Sequence, residues 1–235
     1  MAKLSQIALP ILLWLPAACG QFPRDAQDTL EQAKAGAPLK VGWSAAEPWV
    51  RDRGGPEPGG IEPDLIRAWA AREGIRLEWV KGSEGQLVEA LSENEVDVAV
   101  AGLTKRTAHA ASIGMTQPYL SLETVIAAPA GTIPPDKLKG VQIRYDARRP
   151  DFAAAIAKQE AVPVPVAPAS LRPLAAVYAP EQARLGMTAT GKTLLTEKRV
   201  IATAPAENAL TLSLDRFLHA NKARIEARLA AEAGE

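Results

Sequence analysis

The chain has 235 residues, 27 basic and 27 acidic side chains, and 5% aromatic residues. A chain of this length buries a substantial core as one large domain or two small ones. The balanced charge gives no global field to attract nucleic acid or an acidic membrane surface, and the composition excludes disorder on the scale of a domain.

The first stretch, "MAKLSQIALPILLWLPAACG", carries a single charge at Lys3, an apolar run from Ile7 to Leu15, and small residues before Cys19. A permanent transmembrane helix needs about 20 apolar residues, so this shorter run fits a secretory signal spanning residues 1–18. "LPAAC" resembles a bacterial lipoprotein box, which implies lipid on Cys19. It departs from that box in having Pro16 where Leu is usual, and an ordinary signal with an incidental cysteine is the alternative. Cys19 is the sole cysteine, so an internal disulfide is excluded and stability rests on packing.

Residues 19–36 read as a polar tether, with a short helix between Asp25 and Lys34. "LKVGWS" alternates as a strand should, and "EPWVRDRGGPEPGG" is an exposed loop. In "IEPDLIRAWAAREG", Leu65, Ala68, Trp69 and Arg72 fall at helical spacing, Pro63 suits the first turn, and Gly74 stops the helix. Glu62 and Asp64 lie at its start, where acids complement the helix dipole, so capping is expected of them. "IRLEWV" is a second strand, "EGQLVEALSEN" a second helix, and "VDVAVAG" a strand covered on both faces. This β-α-β-α-β order predicts a parallel sheet wrapped by helices, with ligands collecting at the carboxyl ends of its strands. The loops after Gly42 and Gly102 lie at such ends.

Further along, "LETVIAAPA", "GVQIRYD", "AVPVPVA", "LAAVYA" and "KRVIATA" read as strands. "PDFAAAIAKQE" reads as a helix opened by Pro150, and "ENALTLSLDRFLHANKARIEARLAAEA" as one long helical region.

From about Leu39 to Leu229 the order and spacing of these pieces resemble the bacterial extracellular solute-binding proteins of family 3, the polar-amino-acid type. The pieces that carry the likeness include "LKVGWSAAEPW", "LVEALSENEVDVAVAGLT", "MTQPYL" and "DKLKGVQIR". The resemblance implies an α/β type II periplasmic-binding fold with two lobes, two hinge crossings and a reduced second lobe. The large lobe would take residues 37–125 plus 197–235, and the small lobe 126–196. It also implies a non-enzymatic monomer in the periplasm, working with a permease of an ABC uptake system or with a sensor, and using no cofactor.

In relatives that bind amino acids, an arginine five positions after the first ligand-binding residue pairs with the α-carboxylate, and an acid on the small lobe pairs with the α-ammonium. An ungapped reading of "GLTKRTAHAASIGMTQPY" puts Thr104 at the first place and His109 at the second. Histidine lacks arginine's planar fork and is mostly neutral at pH 7, so a charge-assisted bond of about 1.5–3 kcal/mol is in question. Arg106 is the alternative cation, or else a solvated surface residue. At the small-lobe position stand Ala179 and Pro180, with Glu181 one step beyond, and "YDARRP" brings Arg148 and Arg149 where the family has Gly-Thr. The expected ligand is therefore a small polar or anionic solute.

Candidate binding residues are Trp43, Glu47, Trp49, Gly102, Thr104, Arg106, His109, Arg148 and Arg149. Core packing is the alternative for Trp43 and solvent exposure for Glu47 and the arginine pair. Tyr119 is expected at the hinge and Trp69 in the core. The competing functional class is an enzyme on the same fold, a prephenate-type dehydratase, with Glu47, His109 or Glu181 as acid or base. His109 and His219 have no Cys or acidic neighbours at ligand spacing, so no metal site is expected.

Overall fold

The computed structural model describes residues 25–108 and 110–232. The expected signal segment, Cys19 and His109 lie outside them.

The first sheet begins with β1 (Pro38–Trp43), β2 (Arg76–Lys81) and β3 (Val98–Val100), paired in parallel in the order β2-β1-β3. Helices α2 (Ile61–Glu73) and α3 (Glu84–Ser92) make the two crossovers. The short helix α1 (Thr29–Lys34) precedes β1. Gly74 ends α2 in the left-handed conformation that an L side chain resists, with φ +72°. Ser83 opens α3 through a capping box with Gln86. The sheet is completed by two short antiparallel strands, β4 (Gly114–Met115) and β10 (Ala202–Thr203), in the order β2-β1-β3-β10-β4.

The second sheet has the order β7-β6-β8-β5-β9. Its strands β6 (Gln142–Asp146), β7 (Val162–Val166) and β8 (Ala175–Tyr178) are parallel, and α4 (Pro150–Ala157) links β6 to β7. Two long antiparallel strands, β5 (Leu120–Pro129) and β9 (Met187–Arg199), leave and return to the first sheet, paired from Leu120↔Arg199 to Pro129↔Met187. Most of β9 is absent from the sequence reading, which placed a strand only from Lys198. The stretch from Met187 to Thr196 includes Gly191 and is largely half-buried, so it shows no apolar run.

The expected C-terminal helical region consists of two helices, α5 (Asn208–Ala220) and α6 (Lys222–Glu232), parted at Asn221. The fold is thus the expected two-lobed α/β architecture with two crossing strands and a smaller second half. One large apolar cluster runs through both halves, from Val41, Trp43 and Trp69 to Ile143, Phe152 and Tyr178. Trp69 is in that core as expected, its indole N–H donating to Ser213 Oγ at 3.0 Å.

Candidate functional site

β1 and β3 run side by side, with Trp43 opposite Val100, so the chain leaves both at one edge of the first sheet. There the Ser44 amide donates to Val100 O at 3.2 Å. The parallel strands β6 and β8 end in Asp146 and Tyr178, and their following loops carry Arg148, Arg149 and Glu181. The carboxyl ends of both parallel sets contribute to one cavity of about 500 Å³, together with the end of β9. Its wall includes Glu47, Trp49, Gly102, Thr104, Arg106, Arg148, Arg149, Tyr178, Glu197 and Arg199.

The floor, with Trp49, Gly102 and Arg199, rests on a buried layer that includes Glu62 and Tyr119. Glu62, on the first turn of α2, does not cap its helix. Its carboxylate instead accepts from the Gly102 amide at 3.0 Å and the Tyr119 hydroxyl at 2.7 Å. Burial pushes this carboxyl above its ordinary range, against the lowering effect of those hydrogen bonds and of Arg199. Burial and the adjacent Glu62 also push the Tyr119 hydroxyl well above its usual value. Gly102 has φ +62°, and a Cβ there would sit 2.9 Å from Trp49 Cδ1. Glycine is therefore required for the loop to lie on the indole. Asp64, the other expected cap, pairs with Arg67 and Arg228.

Arg199 is the residue that the sequence reading missed most completely. It is 6% exposed and lies at the end of β9, where Thr104 forms an isolated bridge to it. Its guanidinium stacks 4.8 Å from the centre of the Trp49 ring. It donates to Gly102 O, to Glu197 at 2.7 Å and to the Tyr178 hydroxyl at 3.0 Å. These partners come from the first half, from β9 and from the second sheet. Burial opposes the charge, but Tyr178, Glu197, Tyr119 and Glu62 together outweigh it and hold the guanidinium protonated. Burial also pushes the Tyr178 hydroxyl up to about 12. A charged residue directly before the apolar run "VIATA" was the available signal, since a buried cation needs partners.

Arg149 is also buried. Both its terminal nitrogens reach Glu181, at 2.7 and 2.8 Å, and it lies 4.4 Å from the Tyr178 ring centre. Arg148 is more exposed. It binds Asp146 through Nε and Nη2 and reaches across to Glu47 Oε2 at 2.6 Å. Burial raises the Asp146 carboxyl, but its hydrogen bonds from Arg148 prevail and hold it below the usual range. Arg106 donates to Thr196 O at 2.7 Å, and no carboxylate among the described residues pairs with it.

Of the predicted site residues, the cavity gathers Glu47, Trp49, Gly102, Thr104, Arg106, Arg148 and Arg149. Trp43 is not among its lining residues. It is fully buried, donates to Pro56 O at 3.2 Å and carries Lys81 over its ring. Trp49 faces the cavity only from the floor, 1% exposed, edge-on to Tyr119 and Tyr178. Two buried donors on the floor, Trp49 Nε1 and Arg199 Nε, find no acceptor among the described residues.

The sequence profile of the bacterial extracellular solute-binding proteins, family 3, matches residues 39–226. The chain belongs to that family. Family 3 proteins are extracellular, which places the chain in the periplasm or envelope, and they bind small solutes and usually work with ABC permeases. Solved structures repeat the fold at low identity. The GluR0 ligand-binding core in complex with L-glutamate is 19% identical, covering 83% of this chain and 98% of its own, with a TM-score of 0.60. The ancestral amino acid-binding protein AncCDT-1, a precursor of cyclohexadienyl dehydratase, is 17% identical, with coverages of 88% and 99% and a TM-score of 0.58. The arginine-bound form of truncated ArgBP from T. maritima is 20% identical, with coverages of 81% and 99% and a TM-score of 0.51. No curated protein sequence matches the chain.

Proposed function

We propose that this family 3 protein traps a small polar solute through an anionic group, without transforming it, in the cavity between its two halves. Arg106 carries the reading. The cavity wall holds four arginines and four carboxylates, so recognition rests on local pairing rather than on net charge. Arg148, Arg149 and Arg199 are each matched to an acid, whereas Arg106 has only a backbone carbonyl. An anionic group on the solute supplies the missing partner, beside Thr104 and the Gly102 loop. An ordinary α-amino acid fits less well, because Glu181, the nearest acid to the family's ammonium-binding position, is already held by Arg149.

In this reading, residues 37–125 plus 197–235 and residues 126–196 close as two lobes about β5 and β9. The closed monomer, tethered by lipid on Cys19, is read by an ABC-type permease or an envelope sensor. The likeness to a dehydratase precursor supports the competing enzyme reading. Against it, Glu47 and Glu181, the described candidates for proton transfer, are both tied to arginines.

Thermal-shift titration with organic acids, amino acids and polyamines tests the proposal, since a ligand adds RT ln(1 + [L]/Kd) to stability. Organic acids should raise the melting temperature, and Arg106→Gln should abolish the rise. A response to polyamines or α-amino acids alone would overturn it, and conversion of prephenate would favour the enzyme.

A further inference from the structure

A second cavity, of about 280 Å³, adjoins the first. Glu47, Arg148 and Arg149 line both, so the ion pair that crosses between the halves stands as a partition between two compartments. Beyond it the lining is mixed: Pro48, Pro168, Leu171, Ala176, Val177 and Leu185 supply apolar surface, and Arg51, Asp146 and Glu181 join the partition residues at its charged edge. The charges at its edge are engaged: Arg149 pairs with Glu181 and Arg148 with Asp146, and Arg51, which also lines it, is not free either. A polar group entering there would displace an existing bond, whereas an apolar group would cover surface that no polar partner claims.

We propose that this rear compartment is an apolar subsite, and that the solute is an amphiphilic carboxylate. Its head sits on Arg106 in the front cavity, and its aromatic or branched aliphatic end passes the Glu47–Arg148 partition. This rests on the anionic-head reading above and deepens it. Three features carry it. The volume suffices for a six-membered ring, since an apolar cavity of about 150 Å³ already takes up benzene. The partition can open at modest cost, because Arg148 keeps its bonds to Asp146 when Glu47 leaves it. Finally, Arg148 and Arg149 at the partition already hold carboxylates while Arg106 holds only the Thr196 carbonyl, which orients the solute head-first towards Arg106 and tail-first towards Leu171 and Leu185.

Chemical-shift titration of the protein with acetate, 3-phenylpropanoate and 5-phenylpentanoate tests the subsite. At least one phenyl acid should bind tenfold or more tightly than acetate. Ala169→Phe, which fills the compartment from its exposed rim, and Leu185→Asp, which makes it polar, should each remove that advantage and leave acetate binding unchanged. Equal affinity for all three acids would overturn the subsite and leave the Arg106 reading intact. An advantage that survives both variants would also overturn it. If Arg106→Gln weakens every acid in parallel, the head group is where proposed; if wild-type protein binds none of them, both readings fail.

Discussion

The cavity floor and its partition are built from the same residue types and behave as opposites. On the floor and just beneath it, Arg199 and Glu62 are buried, and their partners reach them from both halves and from β9. At the partition, Arg148 and Glu47 keep about half and a third of their side chains in solvent. Buried, an ion pair cannot exchange partners without leaving a charge stranded. Exposed, it contributes little and can be traded for a ligand. The contrast separates the charges that set the shape of the cleft from those that can exchange partners.

The largest expected effect breaks the floor. Arg199→Met strands Glu197 and leaves Gly102 O and the Tyr178 hydroxyl without their donor. It should cost about 3–5 kcal/mol in urea unfolding, whether or not a solute is present.

Glu62→Gln sharpens the same point more gently, at about 1–3 kcal/mol, by altering two buried hydrogen bonds. It also has a pH signature. The Glu62 carboxyl is raised in the folded state, so the native form binds its proton more tightly than the unfolded chain does. That contribution is fully present below the ordinary carboxylate value and is lost as pH rises through the raised one. The difference in stability between wild type and Glu62→Gln should therefore change across that window, as read from melting temperature against pH.

At the partition the effects fall. Glu47→Ala should change stability by about 1 kcal/mol or less, yet it removes a tie across the cleft. Small-angle scattering should then show a more open average form. An unchanged profile together with a large loss of stability would mean that the partition belongs with the floor.

Smallest of all, Arg106→Gln should leave stability within about 0.5 kcal/mol while weakening organic-acid binding by tenfold or more in calorimetric titration. This is the variant in which stability and recognition separate most cleanly.

Much of the frame was legible because its signals are local. Pro63 and Gly74 bracket α2, and the alternation around Val41 and the continuous run at Val98–Val100 mark adjacent parallel strands. Their loops could be assigned to the ligand edge before any contact was known. The site was only half legible. Glu47, Arg106 and Arg148 could be placed at the cavity wall because they lie in loops at strand ends. Glu62 looked like a cap because its position on the helix is what neighbouring residues reveal, while its true partner, Gly102, is 40 residues away.

The sequence by itself determined the two α/β halves and the edge of the parallel strands at which the cavity lies, since periodicity, capping and loop placement are written in neighbouring residues. Only the tertiary structure decided which charges are matched to one another. Arg149 meets Glu181 across 32 residues and Arg148 meets Glu47 across 101, and whether a cation is held or available depends on what the fold sets within about 3 Å of it.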